Sequence, residues 1–342
     1  MTPTRPSRWL AVPALVAAFA SPVAALDLTR PEVREFIDVL VRQDGFERPF
    51  VEGVLGPAET KQSILDAMAR PAEKVKPWFE YRAIFITPQR ISAGVDFYRE
   101  HEARLRRVSG ETGVPAEVIA AIIGVETFYG TRTGSYRLVD SLATLGFDYP
   151  PRGEFFRKQL RELFLLARDE RLDVTTLTGS YAGAMGPPQF IPSSYRSFAV
   201  DGSGDGRRNL LADWDDIIAS VANYFVRHDW QPGQVVATRG ELKASAQRPA
   251  GTNELALRDT VASLQRQGVI FTTDLPASAP ALLVELDGRD GKEHWVGFQN
   301  FYAITRYNRS VMYALAVHEL SQAIAAGVRV REAGQPGGLQ SP

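Results

Sequence analysis

The 342-residue chain contains no cysteine and only four histidines. Without cysteine it forms no disulfide bonds, so its stability has to come from a buried core. It also lacks the residue that carries the lipid of a bacterial lipoprotein. The histidines are scattered without metal-ligand spacing, and the sequence has no G-x-S-x-G motif and no glycine-rich phosphate loop.

Neither sign of charge dominates the chain. It has 39 Lys and Arg residues against 40 Asp and Glu residues, for a formal net charge of −1. Nucleic-acid binding relies on clustered positive charge, so this balance argues against a nucleic-acid partner. Hydrophobic residues make up 44%, which is ordinary for a globular protein, and the length allows two or three subdomains.

The first 25 residues differ in composition from the rest. Two arginines precede an apolar run at 9–20, and small residues follow up to Ala25. This is typical of a cleavable signal peptide over residues 1–25, with cleavage after Ala25. The alternative is an uncleaved membrane anchor, but the apolar run of about a dozen residues is shorter than the ~20 that span a bilayer. We therefore expect an exported, soluble protein that is not a lipoprotein.

Helical periodicity covers most of the remaining chain, and a stretch with strand and turn signals interrupts it near the end. The predicted fold class is mainly α (α+β), with a helical core, an N-terminal helical region and a small α+β insertion. The predicted divisions are a signal peptide at 1–25, an N-terminal helical region at 26–108, a core at 109–234, a small α+β domain at 235–300, a C-terminal helix returning to the core at 301–330, and a disordered tail at 331–342.

The segment "IIGVETFYG" at 122–130 places an acid in an apolar helix. Helical spacing puts Ile119, Ile123 and Glu126 on one face, so the carboxyl group is expected to point into the core. Burial and the dipole of a helix C-terminus both disfavour a charged carboxylate, so we expect a raised pKa and a proton-carrying acid. The alternative is a buried acid that Arg132 or Arg137 neutralises.

Two further segments are candidates for a binding cleft. "GSYAGAMGPPQFIPSSY" at 179–195 predicts a tight, irregular loop in which Ser180 and Gln189 can hydrogen-bond a polar ligand. "FYAITRYNRSVMY" at 301–313 offers aromatic faces and an amide, a combination that commonly binds sugars. The alternatives are an ordinary structural loop and a tyrosine-rich core segment.

The segment "DGSGDGRRNLLADWDD" at 201–216 has the alternation of a calcium-binding loop. Asp201, Ser203 and Asp205 occupy alternate positions, and the next residue is the glycine of an EF-hand-type turn. The twelfth position is alanine instead of glutamate, so the last carboxylate has to come from the following helix, where Asp216 is favoured. The alternative is an Asp/Gly-rich turn before an N-capped helix.

These motifs, taken in order with "FITP", "LATLGFDYP" and "SVANYF", resemble the lytic murein transglycosylase B family of peptidoglycan-cleaving enzymes. The resemblance extends from about residue 30 to 328. It implies a lysozyme-like helical core in which Glu126 is the sole catalytic acid/base. The positions that it assigns to the glycan cleft are Ser180, Gln189, Tyr224, Tyr307, Asn308 and Tyr313. It assigns a structural, non-catalytic Ca²⁺ to Asp201, Ser203, Asp205 and Asp216, and it implies no organic cofactor.

The resemblance also implies a reaction, a compartment and partners. The enzyme cleaves the β-1,4 bond between N-acetylmuramic acid (MurNAc) and N-acetylglucosamine (GlcNAc) without water, and it leaves 1,6-anhydroMurNAc ends. The expected compartment is the periplasm, and the expected partner is the glycan strand of peptidoglycan. Cell-wall synthases and divisome proteins are further candidate partners.

Two other functions remain open from the sequence. A hydrolytic muramidase on the same scaffold needs a second carboxylate, and the nearest candidates along the chain are Asp140, Asp148 and Glu154. A non-catalytic peptidoglycan-binding protein needs none, although the presence of Glu126 argues against it.

Overall fold

The computed structural model of the chain describes residues 24–69 and 76–333. The predicted signal peptide falls on residues 1–23, which lie outside the described residues, and on Ala24 and Ala25, which form a short strand. Most described residues are helical and a small sheet is present, so the predicted mainly α (α+β) class is confirmed. The division into domains stays a prediction.

Fourteen α-helices lie within the described ranges. Their bounds are Pro31–Arg42 (α1), Arg48–Leu55 (α2), Gln62–Ala69 (α3), Trp78–Phe85 (α4), Pro88–Glu100 (α5), Glu102–Thr112 (α6), Ala116–Thr127 (α7), Leu138–Asp148 (α8), Gly153–Asp169 (α9), Pro192–Phe198 (α10), Trp214–Val226 (α11), Val261–Arg266 (α12), Gln299–Tyr307 (α13) and Val311–Ala333 (α14). Proline in the first turn favours several of these starts. In α5, for example, Pro88 follows Thr87, whose side chain accepts a hydrogen bond from the Arg90 N–H at 3.1 Å.

Nine short strands pair in antiparallel fashion within the same ranges. Their bounds are Ala24–Ala25 (β1), Glu59–Thr60 (β2), Tyr136–Arg137 (β3), Thr178–Gly179 (β4), Ala237–Leu242 (β5), Asp259–Thr260 (β6), Val269–Ile270 (β7), Pro280–Asp287 (β8) and Lys292–Gly297 (β9). β1 pairs with β2 and β3 with β4, and the other five form one sheet in the order β6-β8-β9-β5-β7. The strand and turn signals in this part of the sequence, which include Asp287-Gly288, correspond to the hairpin that β8 and β9 form.

Strand β8 is buried on both faces and joins two cores. Ala281 and Leu283 belong to a small apolar cluster that α12 covers. Leu282, Val284 and Leu286 alternate with them and belong to the main core of the helical body. The period of two along the strand therefore fixes the five-stranded sheet against the helices.

Helices α7 and α14 run through the main core. Only Glu117 and Glu126 of the twelve residues in α7 are not buried, and α14 packs against α4, α5, α7 and α13. The predicted face of Ile119, Ile123 and Glu126 therefore lies on a helix whose other sides are buried as well. The helix is apolar on every side, and Glu126 lies in its last turn with its side chain partly exposed.

Helix α14 continues to Ala333, so the predicted disordered tail is wrong for residues 331–333, and its remainder lies outside the described residues. By length and composition α14 could cross a membrane. However, 56% of its most apolar window is buried inside the protein, which is typical of a core helix.

A buried carboxylate, Asp140, joins the first turn of α8 to the segment around β2. Asp140 is 2% exposed and accepts hydrogen bonds from the Glu59 N–H at 3.0 Å and from Arg137 Nε at 2.9 Å. The ammonium group of Lys61 lies 3.1 Å from its other oxygen. Burial by itself raises the pKa of Asp140, but the hydrogen bonds from Arg137, Glu59 and Lys61 outweigh burial and hold the pKa below its ordinary value.

We predict that Asp140→Asn lowers the free energy of unfolding by about 2 kcal/mol at pH 7, because it leaves two cations without their buried partner. The folded-state pKa lies below the unfolded value of about 3.9, so the stabilisation is complete above pH ~4 and is lost as the pH falls through the folded-state pKa. Urea melts between pH 3 and 7 measure the difference. The control is Asp66→Asn on the exposed side of α3, which should have little effect. An equal loss for Asp140→Asn at pH 3 and pH 7 would contradict the assignment.

Candidate active site

Thr127 ends α7 and ties it to the loop at 179–191. Its hydroxyl donates to the carbonyl oxygen of Pro187 at 2.8 Å and accepts from the Gly130 N–H at 3.0 Å. The helix therefore ends at Thr127. Phe128 (φ 51°) and Tyr129 (φ 59°) follow in the left-handed conformation, which is costly for aromatic residues and is found where the surrounding structure enforces it.

Tyr129 holds this strained turn by folding back over α7. Its hydroxyl donates to the backbone oxygen of Arg90 at 2.9 Å. Its ring lies against Gly124, where a Cβ atom would come within 2.6 Å of the ring. Glycine is required at position 124 for this close approach, and the contact fixes the last turn of α7, where Glu126 lies.

The Glu126 carboxyl group is hydrogen-bonded across the core to α14. Tyr313 is 2% exposed, and its hydroxyl donates to Glu126 Oε1 at 2.5 Å. Burial raises the pKa of Tyr313 well above its ordinary value, and the negative charge of Glu126 raises it further. The phenol therefore stays neutral and remains a hydrogen-bond donor to the carboxyl group.

Tyr81 is a residue of this site that the sequence analysis missed. It is 3% exposed on α4, which packs against the helix α14 that carries Tyr313. Its ring lies 5.2 Å from that of Phe85. The sequence feature that could have indicated Tyr81 is its position four residues before Phe85, the first residue of the "FITP" motif.

Tyr224 and Tyr307 form an aromatic wall with Phe190 from the loop at 179–191. The tyrosine rings are 4.8 Å apart, and each lies 5.7 Å from the Phe190 ring. The Tyr307 hydroxyl donates to the carbonyl of Pro188, and the Tyr224 hydroxyl donates to the carbonyl of Arg306, both at 2.6 Å. Burial raises the pKa of Tyr224 to about 12, so these hydroxyls are neutral donors that hold the loop and α13 in place.

The other predicted cleft residues lie in the loop at 179–191 and directly after α13. Ser180 Oγ accepts from the Ala184 N–H at 3.0 Å. Gln189, at φ 51°, donates from its side-chain amide to the carbonyls of Gly186 and Thr133. Asn308 follows α13, in the link to α14. The hydrogen bonds of Ser180 and Gln189 hold the shape of the loop, and the role of all three residues in a cleft stays a prediction.

The two arginines considered as partners of Glu126 have other contacts. Arg137 bonds Asp140 in the first turn of α8. The Arg132 guanidinium carbon lies 5.1 Å from the centre of the Phe128 ring. The hydrogen-bond donor that the structure brings to Glu126 is the neutral hydroxyl of Tyr313 instead.

The loop at 201–206 exposes three of the predicted calcium ligands. Asp201 Oδ2 accepts from the Gly206 N–H at 2.7 Å, and its Oδ1 accepts from the Gly204 N–H at 2.6 Å. Ser203 and Asp205 are exposed beside it. In the described ranges, no group of three or more His, Asp or Glu side chains is placed to hold a metal ion.

Asp216, the favoured last ligand, is buried and bonded to the loop. Its two oxygens accept backbone N–H groups from Gly202 at 2.8 Å, Ser203 at 3.1 Å and Asn209 at 2.6 Å. Burial raises the pKa of Asp216, although these hydrogen bonds act in the opposite direction. The structure therefore places Asp216 as a brace beneath the loop, and its fit to a cation is poorer than that of Asp201, Ser203 and Asp205.

Comparison with known proteins assigns the chain to a family. The sequence profile described as the transglycosylase SLT domain matches residues 29–322. Over 306 residues the chain is 43% identical to the membrane-bound lytic murein transglycosylase B of Escherichia coli K12, a match that covers 86% of this chain and 83% of that protein. The chain belongs to the transglycosylase SLT family.

Solved structures of other transglycosylases share the fold. SltB1 from Pseudomonas aeruginosa is 48% identical with a TM-score of 0.82, and the match covers 87% of this chain and 98% of that one. Slt35 from Escherichia coli, solved in complex with calcium, is 41% identical with a TM-score of 0.80. The match covers 90% of this chain and 97% of Slt35. The predicted lysozyme-like fold, family and enzyme class are confirmed, and the protein is a peptidoglycan lytic transglycosylase.

The acids considered for a hydrolytic mechanism have other partners in this transglycosylase. Asp140 bonds Arg137 and Lys61. Asp148 Oδ1 accepts from Arg30 Nη1 at 2.7 Å. Glu154 is exposed in the first turn of α9.

We predict opposite effects of two glycine-to-alanine changes. Gly124→Ala forces the Tyr129 ring away from α7, so we expect a loss of about 1–3 kcal/mol in unfolding free energy and a reduced rate of cleavage. Gly110→Ala, in the exposed last part of α6 with open space around its Cβ position, should instead gain about 0.5–1 kcal/mol. Denaturant melts and peptidoglycan turnover measure both effects. A Gly124→Ala variant with unchanged unfolding free energy and unchanged cleavage rate would show that the contact between Tyr129 and Gly124 does not hold the turn.

Proposed function

We propose that Glu126 is the sole catalytic acid/base of this lytic transglycosylase. The observation that carries the proposal is a half-buried carboxyl group at the end of α7 that accepts a hydrogen bond from the neutral hydroxyl of Tyr313. The three other acids considered for the reaction bond elsewhere or lie on the surface. This arrangement favours a one-carboxylate mechanism over a hydrolytic one, which uses two carboxyl groups.

In the proposed reaction Glu126 acts first as an acid and then as a base. Its proton goes to the glycosidic oxygen as the bond from C1 of MurNAc to GlcNAc breaks. The N-acetyl group stabilises the positive charge that develops at C1. The C6 hydroxyl of the same sugar then attacks C1 and gives its proton to the Glu126 carboxylate, which restores the acid. The product is a 1,6-anhydroMurNAc end, and the intramolecular attack gains from proximity.

Tyr313 is proposed to orient the acid. Its hydroxyl donates to Oε1 of Glu126 and fixes the direction in which the carboxyl group points. A hydroxyl with a pKa far above neutrality donates to either protonation state of the carboxyl group without taking part in the transfer. Tyr313 thereby holds the carboxyl in one orientation through both steps.

We propose that Ser180, Gln189, Tyr224, Tyr307, Asn308 and Tyr313 line the glycan cleft. The hydroxyls of Tyr224 and Tyr307 already donate to backbone carbonyls, so these two residues would contact sugars with their ring faces. Ser180 and Gln189 would contribute polar groups from the loop.

We predict that Glu126→Gln lowers the rate of anhydro-muropeptide release from purified sacculi by about 10²–10⁴-fold, because the amide neither gives nor takes the proton. The fold should be intact, since glutamine keeps the size of the side chain. The matched control is Glu117→Gln, at the other end of α7, which should keep full activity. Near-normal release by a folded Glu126→Gln protein would refute the assignment.

We also propose one structural Ca²⁺ at the loop of Asp201, Ser203 and Asp205. The support is the set of exposed oxygens around two left-handed glycines, together with the calcium complex of the relative Slt35. Asp216 is the proposed fourth ligand of this site, although it accepts hydrogen bonds from backbone N–H groups in the structure. The ion would brace the loop against α11 and would supply no chemistry to the reaction.

Calcium should therefore stabilise the folded enzyme by mass action. With a dissociation constant of order 10⁻⁴ M, 10 mM Ca²⁺ should raise the melting temperature by about 3–8 °C relative to EGTA. The double variant Asp201→Asn/Asp205→Asn should lose this response. The control is Asp173→Asn, another exposed acid that accepts N–H and O–H bonds in a turn, which should keep the response. An unchanged melting temperature of the wild type would leave the segment as an Asp/Gly turn.

We propose export to the periplasm with cleavage after Ala25, on the basis of the basic, apolar and small-residue pattern of residues 1–25. The mature enzyme would begin at Leu26, whose N–H donates to the carbonyl of Ala58. N-terminal sequencing distinguishes this from an uncleaved anchor, which keeps Met1. The proposed partner is the peptidoglycan strand, with cell-wall synthases and divisome proteins as further candidates.

A further inference from the structure

Arg90, in the first turn of α5, is a buried arginine whose charge has no partner in the described part of the chain. It is 7% exposed, and its Nε and Nη1 atoms are buried without a hydrogen-bond acceptor. No carboxylate in residues 24–69 and 76–333 forms an ion pair with it. A buried charge of this kind is costly for stability, so its presence calls for a reason outside the fold.

The guanidinium group of Arg90 lies between two aromatic rings. Its central carbon is 5.0 Å from the centre of the Phe85 ring and 5.2 Å from the centre of the Phe128 ring. Arg132 approaches the same Phe128 ring at 5.1 Å, and it too lacks an ion pair within the described ranges. Two positive charges therefore converge on one phenylalanine. Burial lowers the pKa of Arg90, and the charge of Arg132 lowers it further.

This cluster borders the proposed catalytic cleft on the α4–α5 side. Phe128 follows Glu126 by two residues. The Phe85 ring lies 5.2 Å from that of Tyr81 on α4, and α4 packs against α14, which carries Tyr313, the hydrogen-bond partner of Glu126.

On the other side of the cluster, Thr133 follows Arg132 and accepts a hydrogen bond from the Gln189 side chain. Arg132 thus lies on the segment between the proposed acid and the contact to the proposed sugar-binding loop, and Arg90 of α5 approaches the same segment at the Phe128 ring.

We propose that Arg90, Phe128 and Arg132 form an anion-binding subsite for a carboxylate of the peptidoglycan strand. This inference rests on the proposed function, since it takes the space beside Glu126 as the glycan cleft. A guanidinium group binds a carboxylate through charge-assisted hydrogen bonds, and the aromatic rings keep the two arginines in place for it. The carboxylate is one carried on the muramic acid side, either in the peptide stem or as a free lactyl group.

The competing explanation is that stacking on Phe85 and Phe128 is the whole role of Arg90. In that case its replacement alters stability and affects every substrate alike. In a carboxylate subsite, replacement affects anionic substrates selectively, and removal of an unpaired buried charge leaves stability unchanged or improves it.

The experiment compares Arg132→Gln and Arg90→Met with wild type on two preparations of glycan strands. One preparation keeps its carboxylates, and in the other they are converted to neutral methylamides. Arg132 is exposed, so its variant carries no risk to the fold, and Met keeps the length of the Arg90 side chain without its charge. The control is Arg266→Gln, an exposed arginine on α12.

On carboxylate-bearing strands we expect KM to rise about tenfold in each variant with kcat little changed, which corresponds to one lost charge-assisted hydrogen bond. On the neutralised strands the variants should match wild type, and Arg266→Gln should match it on both preparations. Arg90→Met should melt at or above the wild-type temperature. Equal losses on both preparations, or no loss on either, would overturn the proposal.

Two further arms identify the source of the carboxylate. A loss confined to strands with peptide stems assigns the carboxylate to the stem. A loss confined to strands stripped of their stems assigns it to the lactyl group, and a loss on both shows that the subsite accepts either. If the proposed one-carboxylate transglycosylase reaction were wrong, the wild-type enzyme would release no anhydro ends from any preparation. That result differs from every outcome that concerns the subsite alone.

Discussion

The hydrogen bond from Tyr313 to Glu126 joins the two helices on which the site depends. α7 is buried except at Glu117 in its first turn and Glu126 in its last turn, and α14 packs against it in the core. Because both helices are fixed by packing, the carboxyl group is held without loop movement. Thr127 then ties the end of α7 to the loop at 179–191, so the acid and the proposed sugar-binding loop share one support.

Much of this arrangement could be predicted from the sequence because the signals are local. An acid at the end of the apolar segment at 116–127, a Gly/Pro-rich loop and a tyrosine-rich segment each mark a special position without reference to the fold. Their order also carries the resemblance to the transglycosylases, which the family match and the solved structures confirm. The small sheet was predictable for the same reason, since the turn at Asp287-Gly288 lies between two apolar runs.

Contacts between residues far apart in the chain could not be predicted from the spacing of residues in the sequence. The Tyr224 hydroxyl bonds the carbonyl of Arg306, 82 residues away, and the Tyr307 hydroxyl bonds the carbonyl of Pro188, 119 residues away. The sequence around either tyrosine does not indicate these partners. The burial of Asp216 beneath its loop depends in the same way on tertiary packing. From the sequence, Arg90 would be taken for an ordinary surface residue in the first turn of a helix. Only the fold shows that it is buried between Phe85 and Phe128.

The central claim is that one carboxyl group performs the whole reaction, with the sugar's own C6 hydroxyl in place of water. The most direct test is mass spectrometry of the muropeptides that the wild-type enzyme releases from purified sacculi. The one-carboxylate mechanism predicts products that end in 1,6-anhydroMurNAc, each lighter by one water than the corresponding hydrolysis product. Products that carry the added water would contradict it, because they would require a second group to activate water.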